Sequence, residues 1–192
     1  MENLMSVASY VFNRYQETMG EKIDEMKLHK LLYFAQRESI IQRNEPLFSE
    51  DFYGWKFGPI LKEIRSAYRD NTFLNEVDGE TVSRIKDIMD KVFEDYASKD
   101  SWSLSRLTHG ELSWKNSRIG VPDGANSDNP MLLDDIIKDA ERIFLVYPKD
   151  ANAVFEYQRY FVDFLSIRTN RCLSINKSHS TINYCANANI VT

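Results

Sequence analysis

Apolar residues recur at helical spacing through most of this chain, and this pattern is the strongest restriction on its fold. The spacing is clearest between residues 78 and 97, where apolar side chains follow one another at alternating steps of three and four positions. These residues are Val82, Ile85, Met89, Val92 and Tyr96. Such steps place all of them on a single face of an α-helix. The segment is therefore predicted to be an amphipathic helix that packs on a core through this face.

A second segment, from about Asp24 to Gln42, is apolar around much more of its circumference. Its apolar residues include Leu28, Leu31, Leu32, Phe34, Ala35 and Ile41. A helix with so wide an apolar surface is typical of the centre of a domain, and Asp24 can cap its N-terminus. We expect this helix to be central, with Lys27, Lys30 and Arg37 on what remains of its polar surface.

Residues 45–57 follow a different pattern, in which large aromatic side chains are interspersed with Glu, Asp and Gly. This composition predicts a short extended or β-like segment wrapped over the helices. Gly58 and Pro59 come next, and proline is well tolerated in the first turn of a helix, where its missing N–H group costs nothing. We expect a new helix to begin there. The predicted fold is therefore mainly α, a compact multi-helix single domain with one short extended or β-like segment.

The length of 192 residues suits one ordinary domain, or one domain followed by a tail. Pro148 interrupts the helical pattern, and the apolar run after it predicts an additional C-terminal helix over residues 148–168. Residues 169–192 are rich in Asn and Ser and poor in apolar side chains, so we expect a flexible tail. The main domain then covers residues 1–147.

Composition narrows the classes of function. A net charge of −5 is not typical of nucleic-acid binding, which needs clustered Lys and Arg. The two cysteines, Cys172 and Cys185, both lie in the tail, which favours a reducing cytoplasm. The N-terminal residues lack the apolar run of a signal peptide, and no stretch is apolar for long enough to span a bilayer. We expect a cytoplasmic protein whose partner is neither a nucleic acid nor a membrane.

No motif in the sequence predicts a metal, a cofactor or an enzyme. The three histidines, His29, His109 and His179, have no second His or Cys at metal-ligand spacing. His109 lies at a predicted helix end, where it can act as the base of a small hydrolase or as a capping and packing residue. The packing role is the commoner one and is the interpretation that we favour. A small hydrolase that uses His109 is kept as an alternative. A DNA-binding regulator is another alternative, although the longest predicted helices carry mixed charge.

Three segments of the chain match a known pattern in order and spacing. They are MKLHKLLYFAQ over residues 26–36, PLF over 46–48 followed by GWKFGPI over 54–60, and LSRLTH over 104–109 followed by WKNSR over 114–118. Together they resemble the Panacea domain, which is found in SocA-like antitoxins and in phage-associated proteins. The resemblance covers roughly Leu4 to Tyr147. It departs at Ser113, where many relatives have proline, and beyond Pro148, which the pattern does not include.

This resemblance implies an antitoxin, encoded beside a toxin that it neutralises by direct binding. Relatives in the family act on varied toxins, so the domain does not name its partner. Inhibition can be steric, or the antitoxin can deliver the toxin to a protease. The resemblance implies no cofactor.

The first candidate partner-binding segment contains Trp55, Lys56, Gly58 and Pro59. These residues predict a turn before a helix. The turn either defines a corner of the fold or gives a partner a ledge to cover, since tryptophan is enriched among interface hot spots.

The second candidate segment contains His109, Trp114, Lys115 and Arg118, near a predicted loop. Here a tryptophan can anchor a partner while the two cations steer its approach, and a structural role fits the same residues equally well. If the two tryptophan segments meet in space, they outline one surface.

Overall fold

The computed structural model describes residues 1–74, 76–146, 173–176 and 181–184. These residues form seven α-helices, one π-helical turn and two pairs of short antiparallel strands. The elements of the first part are α1 (Leu4–Met19), α2 (Glu25–Arg43), β1 (Tyr53–Trp55), β2 (Gly58–Ile60), α3 (Lys62–Asp70), α4 (Gly79–Val92), the π-helical turn (Phe93–Ala97), α5 (Ser101–His109), α6 (Leu112–Ser117) and α7 (Leu133–Val146). The prediction of a mainly α fold with a short β-like segment is confirmed.

The chain divides into two units, Met1–Arg142 and Ile143–Thr192. In the second unit, β3 (Leu173–Asn176) pairs antiparallel with β4 (Thr181–Tyr184). Both strands fall within the segment for which the sequence predicts a flexible tail. The helix predicted over residues 148–168 lies outside the described residues.

Helix α2 lies at the centre of the first unit, as its wide apolar surface predicts. It packs against α1, α3, α4, α5 and β2, and most of its residues are buried. Asp24 caps its N-terminus, since the side chain accepts a hydrogen bond from the backbone N–H of Lys27 at 2.9 Å. At the other end, Asn44 adopts the left-handed conformation that commonly ends a helix.

The prediction that Lys27, Lys30 and Arg37 lie on the polar surface of α2 is wrong, because all three side chains are buried. Lys30 Nζ donates a hydrogen bond to the carbonyl of Pro59 at 3.1 Å. Arg37 forms an ion pair with Glu111 at 2.6 Å. Helical spacing identifies apolar positions, but it cannot show that a polar side chain has its partner on a distant segment.

Strands β1 and β2 form a tight hairpin in which Gly54 lies opposite Pro59. The prediction that Pro59 opens a helix is wrong, because Pro59 lies within β2 and α3 begins only after Leu61. Two contacts from α2 hold this segment extended. Lys30 bonds the Pro59 carbonyl, and the backbone N–H of Leu61 donates to His29 Nδ1 at 3.2 Å. The fixed φ of proline suits an extended strand as well as a helix start.

Gly58→Ala is expected to destabilise the protein by about 2–4 kcal/mol. Gly58 has φ +106°, which L side chains rarely adopt, and a Cβ atom there would lie 2.5 Å from Lys30 Cε and 2.6 Å from Thr108 Oγ1. Gly120→Ala is the matched control. Gly120 also has a positive φ, +79°, but its added Cβ meets no atom within 4 Å, so about 1 kcal/mol should be lost. Urea unfolding measures both values. Equal losses would contradict a steric requirement at Gly58.

Candidate functional site

The two tryptophan segments meet at the hairpin. The ring nitrogen Nε1 of Trp114, on α6, donates a hydrogen bond to the backbone carbonyl of Trp55, at the end of β1, at 2.9 Å. Both side chains are half-buried. Arg65 lies over the Trp55 ring, with its Cζ atom 4.9 Å from the ring centroid. The Trp114 ring therefore lies against the backbone of Trp55 at this face of the molecule.

His109 extends this face from the end of α5. Its ring stacks on Trp114 with the centroids 4.0 Å apart and the planes 13° from parallel, and its Nε2 lies 3.4 Å from the Ser105 hydroxyl. Burial lowers the pKa of His109, and the cations Lys30 and Arg118 lower it further. In the described part of the chain, the ring contacts of His109 are to the Trp114 indole and the Ser105 hydroxyl. The geometry therefore favours a packing role for His109.

Phe57 and Trp102 form the most exposed aromatic contact of this face. Phe57 lies in the hairpin turn and is 45% exposed, while Trp102 lies on α5 and is 57% exposed. Their rings meet edge to face with centroids 5.3 Å apart. Rings so exposed contribute little to the core, so they are available to a partner.

These side chains together form what we call the aromatic surface. It consists of Trp55, Lys56, Phe57, Trp102, His109 and Trp114. Lys56 Nζ lies 4.7 Å from the centroid of the Phe57 ring. The Ser105 hydroxyl links the Phe57 pair to the tryptophan pair, because it donates to the Phe57 carbonyl at 2.9 Å and contacts His109 Nε2. Lys115 follows Trp114 on α6 and is also exposed.

The other candidate residues, Gly58, Pro59 and Arg118, are buried. The Arg118 guanidinium donates to the carbonyls of Gly54 and Ala125, each at 2.9 Å, and to that of Pro122 at 2.8 Å. It therefore ties the hairpin to the loop that follows α6. Gly58 and Pro59 lie in the strand that follows the turn. All three residues are therefore expected to hold the hairpin in position and not to contact a partner themselves.

A buried carboxylate anchors α6 and thereby positions Trp114. Asp139, on α7, accepts hydrogen bonds from the backbone N–H groups of Leu112 and Ser113 at 2.6 and 2.9 Å. The hydroxyl of Tyr33 bonds both the Asp139 carboxylate and the Ser113 hydroxyl. Ser113 thus uses an N–H donor that proline, expected here in many relatives, would lack.

Beside this anchor lies a buried ion pair between α2 and the start of α6. Arg37 and Glu111 are each about 4% exposed, and Arg37 also donates to the Tyr96 hydroxyl at 2.8 Å. Burial raises the pKa of Glu111 to about 7, and nearby Arg37 opposes that rise. The positive charge of Arg37 therefore offsets much of the free-energy cost of burying the Glu111 carboxylate.

A pocket of about 320 Å³ opens next to the aromatic surface and is lined partly by Trp55 and Phe57. His29 and Lys30, from α2, also line it and are almost fully buried. Burial lowers the pKa of Lys30 to about 7 and lowers that of His29 as well. Ile60 contributes apolar surface.

The described residues contain no group of three or more His, Cys, Asp or Glu side chains that could hold a metal ion. Among the helices of the described ranges, none combines the length and the apolar character needed to cross a membrane.

Residues 28–115 match the family model described as antitoxin SocA-like, Panacea domain. This part of the chain is similar to the Panacea domain. This match confirms the resemblance drawn from the three sequence segments. No curated protein and no solved structure matches the chain significantly. The Panacea domain match spans the whole aromatic surface, from Trp55 to Trp114, together with His29 and Lys30 of the pocket. An antitoxin-like family implies a protein partner in general and favours a binding protein over an enzyme.

Two residues of the aromatic surface are not among the candidate partner-binding residues that the sequence suggests, although Phe57 lies within the candidate turn. Phe57 lies between Lys56 and Gly58, inside a quoted motif, but its exposure depends on the hairpin turn. Trp102 lies in the first turn of α5, off the buried side formed by Leu104 and Thr108. That helical position is the one signal that could have identified it.

Proposed function

We propose that this protein is an antitoxin that neutralises a cognate protein toxin, encoded nearby, by binding it directly. The observation that carries the proposal is the exposed contact between Phe57 and Trp102, which forms part of a larger aromatic surface within the segment that matches the Panacea domain. Aromatic side chains dominate the binding energy of protein interfaces.

In this proposal the exposed and half-buried residues contact the toxin. Trp55, Trp102 and Trp114 supply rigid apolar anchors, and Lys56 and Lys115 steer the approach of a partner through their positive charge. Gly58, Pro59 and Arg118 are buried and act by holding the hairpin in place.

Steric inhibition needs nothing beyond this contact, so it is the mechanism that we propose. Delivery of the toxin to a protease is the competing mechanism, and it makes a different prediction. Neutralisation by simple binding should persist in a host that lacks its cytoplasmic proteases, whereas delivery should fail there. Hydrolysis and DNA binding are not favoured, given the surroundings of His109 and the net charge of −5.

Growth of a host that expresses the neighbouring gene tests the proposal. The neighbouring product is expected to arrest growth alone and to be harmless when this protein is co-expressed. A neighbouring product that is harmless alone, or toxic in both cases, would contradict the proposal.

A further inference from the structure

The pocket beside Trp55 contains hydrogen-bond donors that have no partner among the described residues. His29 Nδ1 accepts a hydrogen bond from the backbone N–H of Leu61, so the proton of the neutral ring is assigned to Nε2. This buried Nε2 has no hydrogen-bond partner among the described residues. The Glu25 carboxylate lies 3.8 Å away, which is beyond hydrogen-bond distance.

Trp55 and Lys30 add two further donor groups to the same pocket. The ring nitrogen Nε1 of Trp55 is buried and has no hydrogen-bond partner in the described part of the chain. The Lys30 ammonium has three N–H donors, of which the Pro59 carbonyl takes one. Buried donors normally have partners, so three incompletely satisfied donor groups around one pocket indicate a ligand with acceptor oxygens.

In the described part of the chain, the two carboxylates at the pocket bond other groups and form no hydrogen bond with these three donors. Asp24 accepts from the N–H of Lys27 at the start of α2 and from the Ser101 hydroxyl. Glu25 pairs with Arg65 at 2.8 Å. The donors of His29, Lys30 and Trp55 are therefore left for a ligand.

Apart from Arg65 and Asn126, the rest of the pocket lining is apolar, and it determines what kind of stem the ligand can have. Met26, Phe57 and Ile60 contribute this surface. A volume of about 320 Å³ is at the lower end for small-molecule sites. It suits a single ring or a branched aliphatic group attached to the acceptor.

We propose that this pocket binds a carboxylate carried on an aromatic or branched aliphatic stem, with Trp55 Nε1, His29 Nε2 and Lys30 Nζ as its donors. Trp55 and Phe57 belong to both the pocket and the aromatic surface. The carboxylate can therefore come from a free small molecule or from a protein bound to that surface, and the second source rests on the proposed function.

Titration with 3-phenylpropanoate tests the inference, with two-dimensional ¹⁵N–¹H spectra of the indole N–H groups as the readout. The chain has three tryptophans, so each signal is assigned by a single Trp→Phe variant. The Trp55 signal is expected to shift saturably and by more than those of Trp102 and Trp114. The neutral analogue 3-phenylpropanol is expected to bind at least about tenfold more weakly. No saturable shift at Trp55, or equal affinity for the alcohol, would overturn the inference.

A matched pair of variants separates binding from folding. Trp55→Phe removes an N–H group that has no partner among the described residues, so it should weaken 3-phenylpropanoate binding about tenfold, with a smaller loss of stability than Trp114→Phe causes. Trp114→Phe removes an N–H group bonded to the Trp55 carbonyl, and Trp114 does not line the pocket, so it should lower stability more, and the affinity for the probe less, than Trp55→Phe does. The reverse pattern would contradict the assignment of donors.

Competition with the toxin identifies the source of the carboxylate. If 3-phenylpropanoate and the toxin exclude each other, the partner supplies the group, whereas unchanged probe binding in the complex assigns the pocket to a free molecule. Failure of the probe while neutralisation persists would refute the pocket inference alone. If the probe binds but no neighbouring gene encodes a toxin, the pocket inference stands and the proposed function is refuted.

Discussion

Loss of toxin neutralisation is the expected result when Phe57 and Trp102 are both replaced by alanine. The two rings contact each other and are about half exposed. Anchor residues of this kind typically contribute about 2 kcal/mol or more each to binding. Removing both should weaken toxin binding by at least about a hundredfold, even if the two effects are not fully additive. Growth under co-expression and titration of the purified proteins measure the effect.

Leu74→Ala is the matched control for this double variant. Leu74 is 44% exposed, close to the 45% of Phe57, and its backbone bonds Ser9 and Asn13 of α1, away from the hairpin. Neutralisation should be unchanged in this variant, and thermal unfolding should show that both proteins remain folded. Normal neutralisation by the Phe57 and Trp102 double variant would place the toxin on another face.

Arg37→Ala is expected to cost about 3–5 kcal/mol of folding stability, because it leaves the buried Glu111 carboxylate with only the longer contact to Arg142, at 3.6 Å. Arg37 and Glu111 are 2.6 Å apart and both buried. The Tyr96 hydroxyl loses its donor as well. Urea unfolding at about pH 8 measures the loss. A loss below about 1 kcal/mol would show that the pair behaves like an exposed one.

The pH dependence of this loss distinguishes charge burial from lost packing. The pKa of Glu111 is raised to about 7 from an ordinary 4.5, so the folded protein retains a proton that the unfolded chain releases in that window. The stability contributed by this residue therefore falls as pH rises from about 4.5 to about 7. Without Arg37 the pKa rises further, and the fall continues above pH 7. The destabilisation should therefore be larger at pH 8 than at pH 5.

The double substitution Arg37→Met with Glu111→Leu is the control. It removes both charges and keeps the site filled, so it should recover most of the stability lost in Arg37→Ala. A double variant as unstable as the single one would assign the loss to packing around Arg37.

The sequence predicts the parts of this fold that depend on local patterns. The central position of α2 follows from its wide apolar surface, and its start follows from the Asp24 cap. The sequence does not predict that Lys30 and Arg37 are buried, because their partners, Pro59 and Glu111, lie on distant segments. A local pattern contains no information about such pairs.

The candidate site shows the same limit. Trp55 and Trp114 were identified as candidates one segment at a time, but the hydrogen bond that joins them exists only in the folded protein. The sequence predicts a helix start at Pro59, but the fixed φ of proline fits a strand equally well. The hydrogen bonds of Lys30 to the Pro59 carbonyl and of His29 to the Leu61 N–H hold this segment in the strand conformation. The sequence likewise cannot show that His29 Nε2 and Trp55 Nε1 have no hydrogen-bond partner among the described residues, because this depends on the folded structure.

Co-purification with the product of the neighbouring gene tests the central claim most directly. A tag on this protein should retain the toxin through affinity and size-exclusion chromatography, and the toxin should be lost from the Phe57 and Trp102 double variant. A toxin that is neutralised in cells but never purifies with this protein would contradict neutralisation by direct binding.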